Sequence, residues 1–295
     1  MRLALPLAPA LNVSLAGGAT ISAGANGSSS LTLSGTQAQF NAALASISYQ
    51  GNADFNGGDT LTVLSTDANG ATDSDAVAIT VSSVNDGPVN AVPGAQSVSE
   101  DTSLSIGGIS VNDVDGNLAT TQLSVTNGSL NVSLAGGATI SGGANGSSTL
   151  TLSGTQAQIN AALASLSYQG TLDFAGADTL SVLSTDTNGA ADSDAVAITV
   201  NSVNDGPLNT VPGAQTVNED TSLSIGGISV NDVDGNLSTT QLSVANGSLN
   251  VSLAGGATIS AGANGSSTLT LSGTQAQINA ALASLSYQGL SLIHI

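Results

Sequence analysis

The sequence predicts an all-β protein made of tandem antiparallel β-sandwich modules, each carrying one short helix. Three observations predict it. The segment LNVSLAGGATIS begins at Leu11, Leu130 and Leu249, so the chain repeats with a period of 119 residues. That spacing is domain-sized, and each copy must therefore bury a core of its own. Within a copy, short alternating or apolar runs are separated by clusters of Gly, Asn, Asp and Ser, which is the punctuation of strands and turns. One segment departs from this: GTQAQINAALASL, at 154–166, places Ile159, Ala162, Leu163 and Leu166 at helical spacing.

With VNDGP at Val84 and Val203 taken as the joint, 84–202 is one complete repeat, 11–83 the back part of an earlier copy and 203–289 the front part of a later one. In the complete repeat, strands are predicted at 96–99, 104–112, 121–126, 130–134, 149–153, 166–168, 179–185 and 194–203. The helix is predicted over 156–165, opened by a capping box of Thr155 and Gln158, as a lid on the sandwich. Tyr168, Phe174 and their counterparts Tyr49 and Phe55 read as core anchors in an otherwise aliphatic interior. Residues 1–10 form a non-repeat head, and LSLIHI at 290–295 reads as an adapter-derived tail. Both ends suggest a fragment of a longer gene.

Composition narrows the function. The chain holds 20 acids against one base, Arg2, for a net charge of −19, so salt bridges cannot balance the carboxylates. Nucleic acid and anionic membrane surfaces would repel it and are excluded as default partners. Apolar residues make up 40 % of the chain but aromatics only 2 %, which predicts folded modules with thin cores. There is no Cys, hence no disulfide framework and no thiolate metal site. No apolar run reaches the roughly 18 residues of a membrane helix, and no membrane insertion is expected in this segment.

The ten acids of the complete repeat are Asp86, Glu100, Asp101, Asp113, Asp115, Asp173, Asp178, Asp186, Asp192 and Asp194. Most fall in predicted turns or strand ends, which a sandwich gathers at its two ends. Carboxylate and amide oxygens converging there suit Ca2+, which takes six to eight oxygens in a flexible geometry. Zinc would want the His and Cys that the repeats lack. The bland alternative for VNDVDGN, at 111–117 and again at 230–236, is turn chemistry without a metal. DVDGN is not an EF-hand loop, because Ser124 stands where the twelfth-position Glu belongs. FNGGDTLTV at 55–63 does not recur at nine-residue intervals, so it is no calcium β-roll. Asp192 and Asp194 read as a solvated turn, and Asp101 as a solvated loop residue. The repeats contain no His, Lys or Cys to serve as base or nucleophile, and no enzymatic activity is expected.

Three stretches together resemble cadherin-type repeats, in the form found in large bacterial surface and type I secreted adhesins. VSEDTSLSI at 98–106 is similar to the first-strand Glu motif, ISVNDVDGN at 109–117 to the Asp-x-Asp motif followed by Asn, and LSVLSTDTNGAADSDAVAITVNSVNDGP at 180–207 to the last two strands and the linker. The resemblance covers nearly all of 11–289. It implies an Ig-like/cadherin-like sandwich with Ca2+ ligands on both sides of each joint. At the first joint these would be Asn85 and Asp86 of the linker with Asp113, Asp115, Asn117 and Asp186 of the module that follows. At the second they would be Glu100 from the preceding module, Asn204 and Asp205 from the linker, and Asp232, Asp234 and Asn236 from the next. The sequence departs from the animal pattern at Ser83 and Ser202, which replace an acid before the linker, and in lacking the Asp-Arg-Glu motif, for which Asp173 or Asp178 could substitute. The function implied is a calcium-rigidified stalk of a secreted bacterial cell-surface adhesin, partnered by neighbouring repeats of the same chain and, through other domains, by a surface glycan or protein. The alternatives are a calcium-independent spacer or a glycan-binding module.

Overall fold

The computed structural model describes residues 9–290. The head through residue 8 and the tail from 291, with Arg2 and His294, lie outside the described residues. Those described fall into two compact units. The first takes residues up to Gln96 together with Ser103–Gln169 and Asp178–Ile198; the second takes Ser97–Thr102, Gly170–Ala177 and the chain from Thr199 on.

In the first unit the complete repeat is a two-sheet sandwich. Its larger sheet is built around Leu118–Ser124, whose sequence LATTQLS alternates inward and outward side chains. This strand pairs antiparallel with Thr149–Ser153 on one side, from Thr120 opposite Ser153 to Ser124 opposite Thr149. On the other it pairs with Gly176–Asp186, from Leu118 opposite Asp186 to Ser124 opposite Ser181. Thr139–Gly143 extends the sheet beyond Thr149–Ser153, and Ala191–Asn201 lies beyond Gly176–Asp186. Gly128–Asn131, Ser167–Gly170 and Ser103–Ser105 form the facing sheet, and Val89–Ala91 pairs with Ser110–Asn112. Leu123, Leu150, Leu152, Ile159, Leu163 and Leu180 are fully buried between them.

The helix is Gln156–Leu163, two residues shorter than its periodicity suggests. Its capping box is formed: Gln158 N donates to Thr155 Oγ1 at 3.3 Å, and Thr155 N donates to Gln158 Oε1 at 2.8 Å. Ile159, Ala162 and Leu163 turn into the core. Its polar face grips a neighbouring strand. Val111 N donates to Asn160 Oδ1 at 2.8 Å, Asn160 Nδ2 donates to Val111 O at 2.9 Å, and Asp113 N donates to Gln156 Oε1 at 2.8 Å.

The structure departs from the sequence reading in several places. The run 104–112 divides into Ser103–Ser105 and Ser110–Asn112, because Gly107 and Gly108, the latter at φ +82°, break the strand. Thr139–Gly143 is a strand that its two glycines concealed; Gly143, at φ +73°, allows the close approach of Thr149 O. Only Tyr168 of the four aromatics is a fully buried anchor. Its ring lies over Gly128, where a Cβ would come within 2.4 Å of it. Its hydroxyl donates to Asp178 Oδ2 at 3.0 Å and to Asn127 O at 3.2 Å, and burial foremost pushes its pKa above the ordinary tyrosine range. Asp178 also accepts from Thr126, Asn127 and Thr179 N–H groups, so it is a buried structural residue rather than a substitute ligand. Phe174 is half-buried over Gly176, and Phe55 is 38 % exposed. Asp192 is no solvated turn residue: its Oδ2 accepts from Asn90 N at 2.7 Å.

In the second unit the third repeat keeps the pairings Thr239–Ser243 with Thr268–Ser272 and Thr258–Gly262 with Thr268–Ser272. Leu249, Leu269, Leu271, Ile278, Leu282 and Leu285 form its core.

Leu163 and Leu44 are the same repeat position, one fully buried and the other 38 % exposed. Leu163→Ala should therefore cost about 2–5 kcal/mol, and Leu44→Ala about 1 kcal/mol or less, measured by denaturant titration of the two variants.

Candidate functional site

In the second unit the linker after Asn201 brings acids from three distant segments together. Glu100 sits in the turn after Gln96–Ser99, where its backbone N–H is held by Asn201 O at 2.9 Å. Its side chain is 4 % exposed, and Oε1 accepts from Val203 N at 2.6 Å. Asp205 N donates to Asp234 Oδ2 at 2.6 Å, tying the linker to the VNDVDGN loop of the third repeat. Asn236 Nδ2 donates to Asn204 Oδ1 at 2.7 Å, a second tie between the same segments. Asp232, 5 % exposed, accepts from Asn236 N at 3.3 Å, and its own N–H is held by Gln275 of the helix at 2.8 Å.

The result is a concentration of negative charge with no cation beside it. One carboxylate oxygen each from Glu100, Asp205 and Asp234 lie within 4.8 Å of one another, and so do oxygens from Asp101, Asp173 and Asp205. Asp205 belongs to both groups. Its Oδ2 is buried and has no hydrogen-bond partner. Desolvation raises its pKa, and the charges of Asp101, Asp234, Glu100 and Asp232 raise it further. Asp173 is raised in the same way, by desolvation first and then by Asp101, Asp205 and Asp234. Like charges at this range disfavour simultaneous ionisation.

The first joint shows the other half of the arrangement. Asn85 Nδ2 donates to Asp186 Oδ2 at 2.7 Å, Asn117 Nδ2 donates to Asn85 Oδ1 at 2.7 Å, and Asp86 N donates to Asp115 Oδ2 at 2.6 Å. Turned over, the Asn117 amide would instead donate to both Asp113 oxygens at 3.0 and 3.1 Å. Asp186 and Asp113 are 3 % and 4 % exposed. The Asn85 bond first, then N–H groups of Ala190, Asn188 and Gly189, hold the Asp186 carboxyl below the usual range. These residues border a polar cleft of about 310 Å³ lined by Asn56, Ser83, Val84, Asn85, Asp115, Asn117 and Asn188.

All twelve residues singled out in the sequence thus lie at one of two joints: Asn85, Asp86, Asp113, Asp115, Asn117 and Asp186 at the first, and Glu100, Asn204, Asp205, Asp232, Asp234 and Asn236 at the second. Three more went unrecognised. Asp101 and Asp173 both sit at positive φ, 60° and 58°, as do their repeat counterparts Asp220 and Asp54 at 60°. A non-glycine residue held there is uncommon, and nothing in the letters announces it; the signal available was recurrence at the period. Asn188 donates to Asn85 Oδ1 from the tip of the last hairpin. Its Asn-Gly turn was visible, its direction was not.

Among the described residues no helix is long and apolar enough to cross a membrane. Chemically, the joints offer clustered hard oxygen donors and no nucleophile or base. Antiparallel sandwiches in series, with carboxylates gathered where one module passes into the next, define cadherin-like β-sandwich repeats. The family model described as the Protein GAMETE EXPRESSED 2 domain matches residues 5–76 and 103–195, which is 72 plus 93 residues, or 165 of the 295. The chain belongs to that family. No curated protein matches it. Similar solved structures include extracellular cadherin domains 1–5 of protocadherin gamma B2 (16 % identity, 78 % of this chain and 42 % of that one, TM-score 0.37). Domains EC1–4 of Drosophila N-cadherin also match (13 %, 93 % and 60 %, TM-score 0.27), as do fibronectin(III)-like modules of Clostridium thermocellum CbhA (14 %, 68 % and 82 %, TM-score 0.23). The chain thus spans about two fifths of the protocadherin segment it matches.

For the ion-free chain the raised pKa values of Asp173 and Asp205 fix the sign of a pH effect. Their folded values lie above the unfolded ones, so the stability they contribute is present at low pH and lost as pH rises through the folded values. Acidifying the chelator-treated protein from neutrality into the upper carboxylate range should therefore raise the unfolding midpoint of the second unit. Asp205→Asn should flatten that rise, as followed by calorimetry across the range.

Proposed function

We propose that the chain is a calcium-rigidified segment of an extracellular adhesive stalk, of the kind the sequence resembles in bacterial cell-surface adhesins. The observation that carries the reading is Asp205, whose buried, partnerless Oδ2 sits in two carboxylate groups at once. Such a centre needs a cation. The donors are carboxylate and amide oxygens only, which fits Ca2+ better than metals that prefer nitrogen or sulfur.

Two ions per joint follow from the two groups. One would be held by Glu100, Asp205 and Asp234, with Asp232 adjacent; the other by Asp101, Asp173 and Asp205. Shifted by one period, the first joint adds the position of Asp186 beside the Asp113 and Asp115 pair. Bound Ca2+ would offset the mutual repulsion of these acids and clamp the linker to the modules it joins. Extracellular calcium modules bind at roughly 10⁻⁴ to 10⁻³ M, so occupancy would follow the outside medium. At about 100 times the dissociation constant one site adds roughly 2.7 kcal/mol, a large share of a small module's stability. The stalk would hold a binding tip, carried by other domains, away from its surface; we assign these repeats no catalytic role. A glycan-binding role for the repeats would call for exposed aromatics, whereas Tyr168 is buried.

Thermal unfolding with calcium and with chelator tests the reading. Calcium should raise the midpoint of the wild-type chain, and the variant with Asp232→Asn and Asp234→Asn together should lose most of that rise. An unchanged wild-type midpoint, or an equal rise in the variant, would leave the calcium-independent spacer as the better account.

A further inference from the structure

The chain carries two complementary incomplete surfaces. In the complete repeat the hairpin formed by Gly176–Asp186 and Ala191–Asn201 covers Leu118–Ser124 and closes the core, with Leu180, Val182, Val196, Ile198 and Val200 each at most 2 % exposed. The third repeat has the strand but not the hairpin. Its Thr239–Ser243 pairs with Thr268–Ser272, and among the described residues nothing pairs with its other edge. Leu242 is consequently half-buried, where its counterpart Leu123 is fully buried. Asn209 is exposed, where its counterpart Asn90 is buried and accepts from Ser184 Oγ at 2.6 Å.

The first repeat has the converse: a hairpin, Gly57–Thr66 with Thr72–Val81, and no covered strand. Among the described residues the hairpin pairs only with itself. A cleft of about 350 Å³, bordered by Leu11, Leu31, Tyr49, Asp59, Leu61 and Thr62, separates it from the rest of its repeat. Tyr49 Oη donating to Asp59 Oδ2 at 2.8 Å bridges that cleft. Val77 is 53 % exposed against 1 % for its counterpart Val196.

We propose that the Gly57–Val81 hairpin of one copy completes the third repeat of a second copy, adding beside Thr239–Ser243 in the register the complete repeat uses internally. The sequences permit it. The hairpin matches 176–200 at 21 of 25 positions, every inward-facing residue included, and 237–243 matches 118–124 at six of seven. Transposing the internal register by one period in each direction places Thr66 opposite Thr239, Ser65 opposite Thr240, Val63 opposite Leu242 and Thr62 opposite Ser243. The polar lock transposes with it, Asn209 meeting Ser65 and Asp73 as Asn90 meets Ser184 and Asp192. Main-chain pairing at an open edge supplies affinity and the apolar face supplies register. Because donor and acceptor are different surfaces, the contact is heterologous and extends into chains of copies unless it closes on itself.

The chain has no Cys, which makes the register testable by cross-linking. Residues directly opposite in an antiparallel pair have Cα atoms roughly 4.5–5.5 Å apart, within disulfide range. A Thr62→Cys copy mixed with a Ser243→Cys copy in chelator should form a disulfide-linked dimer, whereas Thr66→Cys with Ser243→Cys should not. Without the cysteines, light scattering should show mass rising in steps of one chain with concentration. Val77→Asp, at a site exposed in the isolated hairpin, should leave a folded monomer. Monomer at every concentration, equal cross-linking of both pairs, or concentration-independent closure within a Thr62→Cys, Ser243→Cys double variant would overturn the proposal.

Discussion

Uncompensated negative charge is the constraint on which the rest of the structure turns. A chain with 20 acids and a single base cannot neutralise its carboxylates by ion pairing, and a thin aliphatic core leaves little stability to spend on repulsion. Where the acids stand alone at a strand end, solvation suffices. At the second joint they do not stand alone: Glu100, Asp101, Asp173, Asp205 and Asp234 crowd oxygens within 4.8 Å in two overlapping groups. Backbone N–H groups relieve part of the strain, as Val203 does for Glu100 and Asp205 does for Asp234, but Asp205 Oδ2 has no such help.

The core and the joint are mechanically linked. The same helix that buries Ile159 and Leu163 also holds Val111 and Asp113 through Asn160 and Gln156, so the acidic loop is positioned by packing inside its own module. The third repeat repeats this through Asn279 and Gln275. Whatever occupies the joint therefore acts on preorganised donors, and the cost of arranging them has been met by folding.

Much of this was legible in the letters. The 119-residue period revealed the modules, strand alternation the sandwich, and the Thr155 and Gln158 pair the helix start. The Asn-Asp linker and the VNDVDGN loop were recognisable because their chemistry lies in residue type. What escaped depended on backbone direction. Asp101 and Asp173 enter the cluster through left-handed conformations that any sequence reading would assign to a solvated turn, and Asp178 and Asp173, equal candidates by letter, separate completely: one is locked under Tyr168, the other faces the joint. Phe174 and Phe55 misled because aromatic residues are ordinarily core, yet here each lies in the loop leading into the long hairpin.

The most direct measurement is calcium binding by titration calorimetry on the intact chain, compared with Asp205→Asn. The account predicts saturable binding in the range of about 10⁻⁴ to 10⁻³ M that weakens at both carboxylate groups when their shared residue loses its charge. Absence of saturable binding, or binding unaltered in Asp205→Asn, would contradict it.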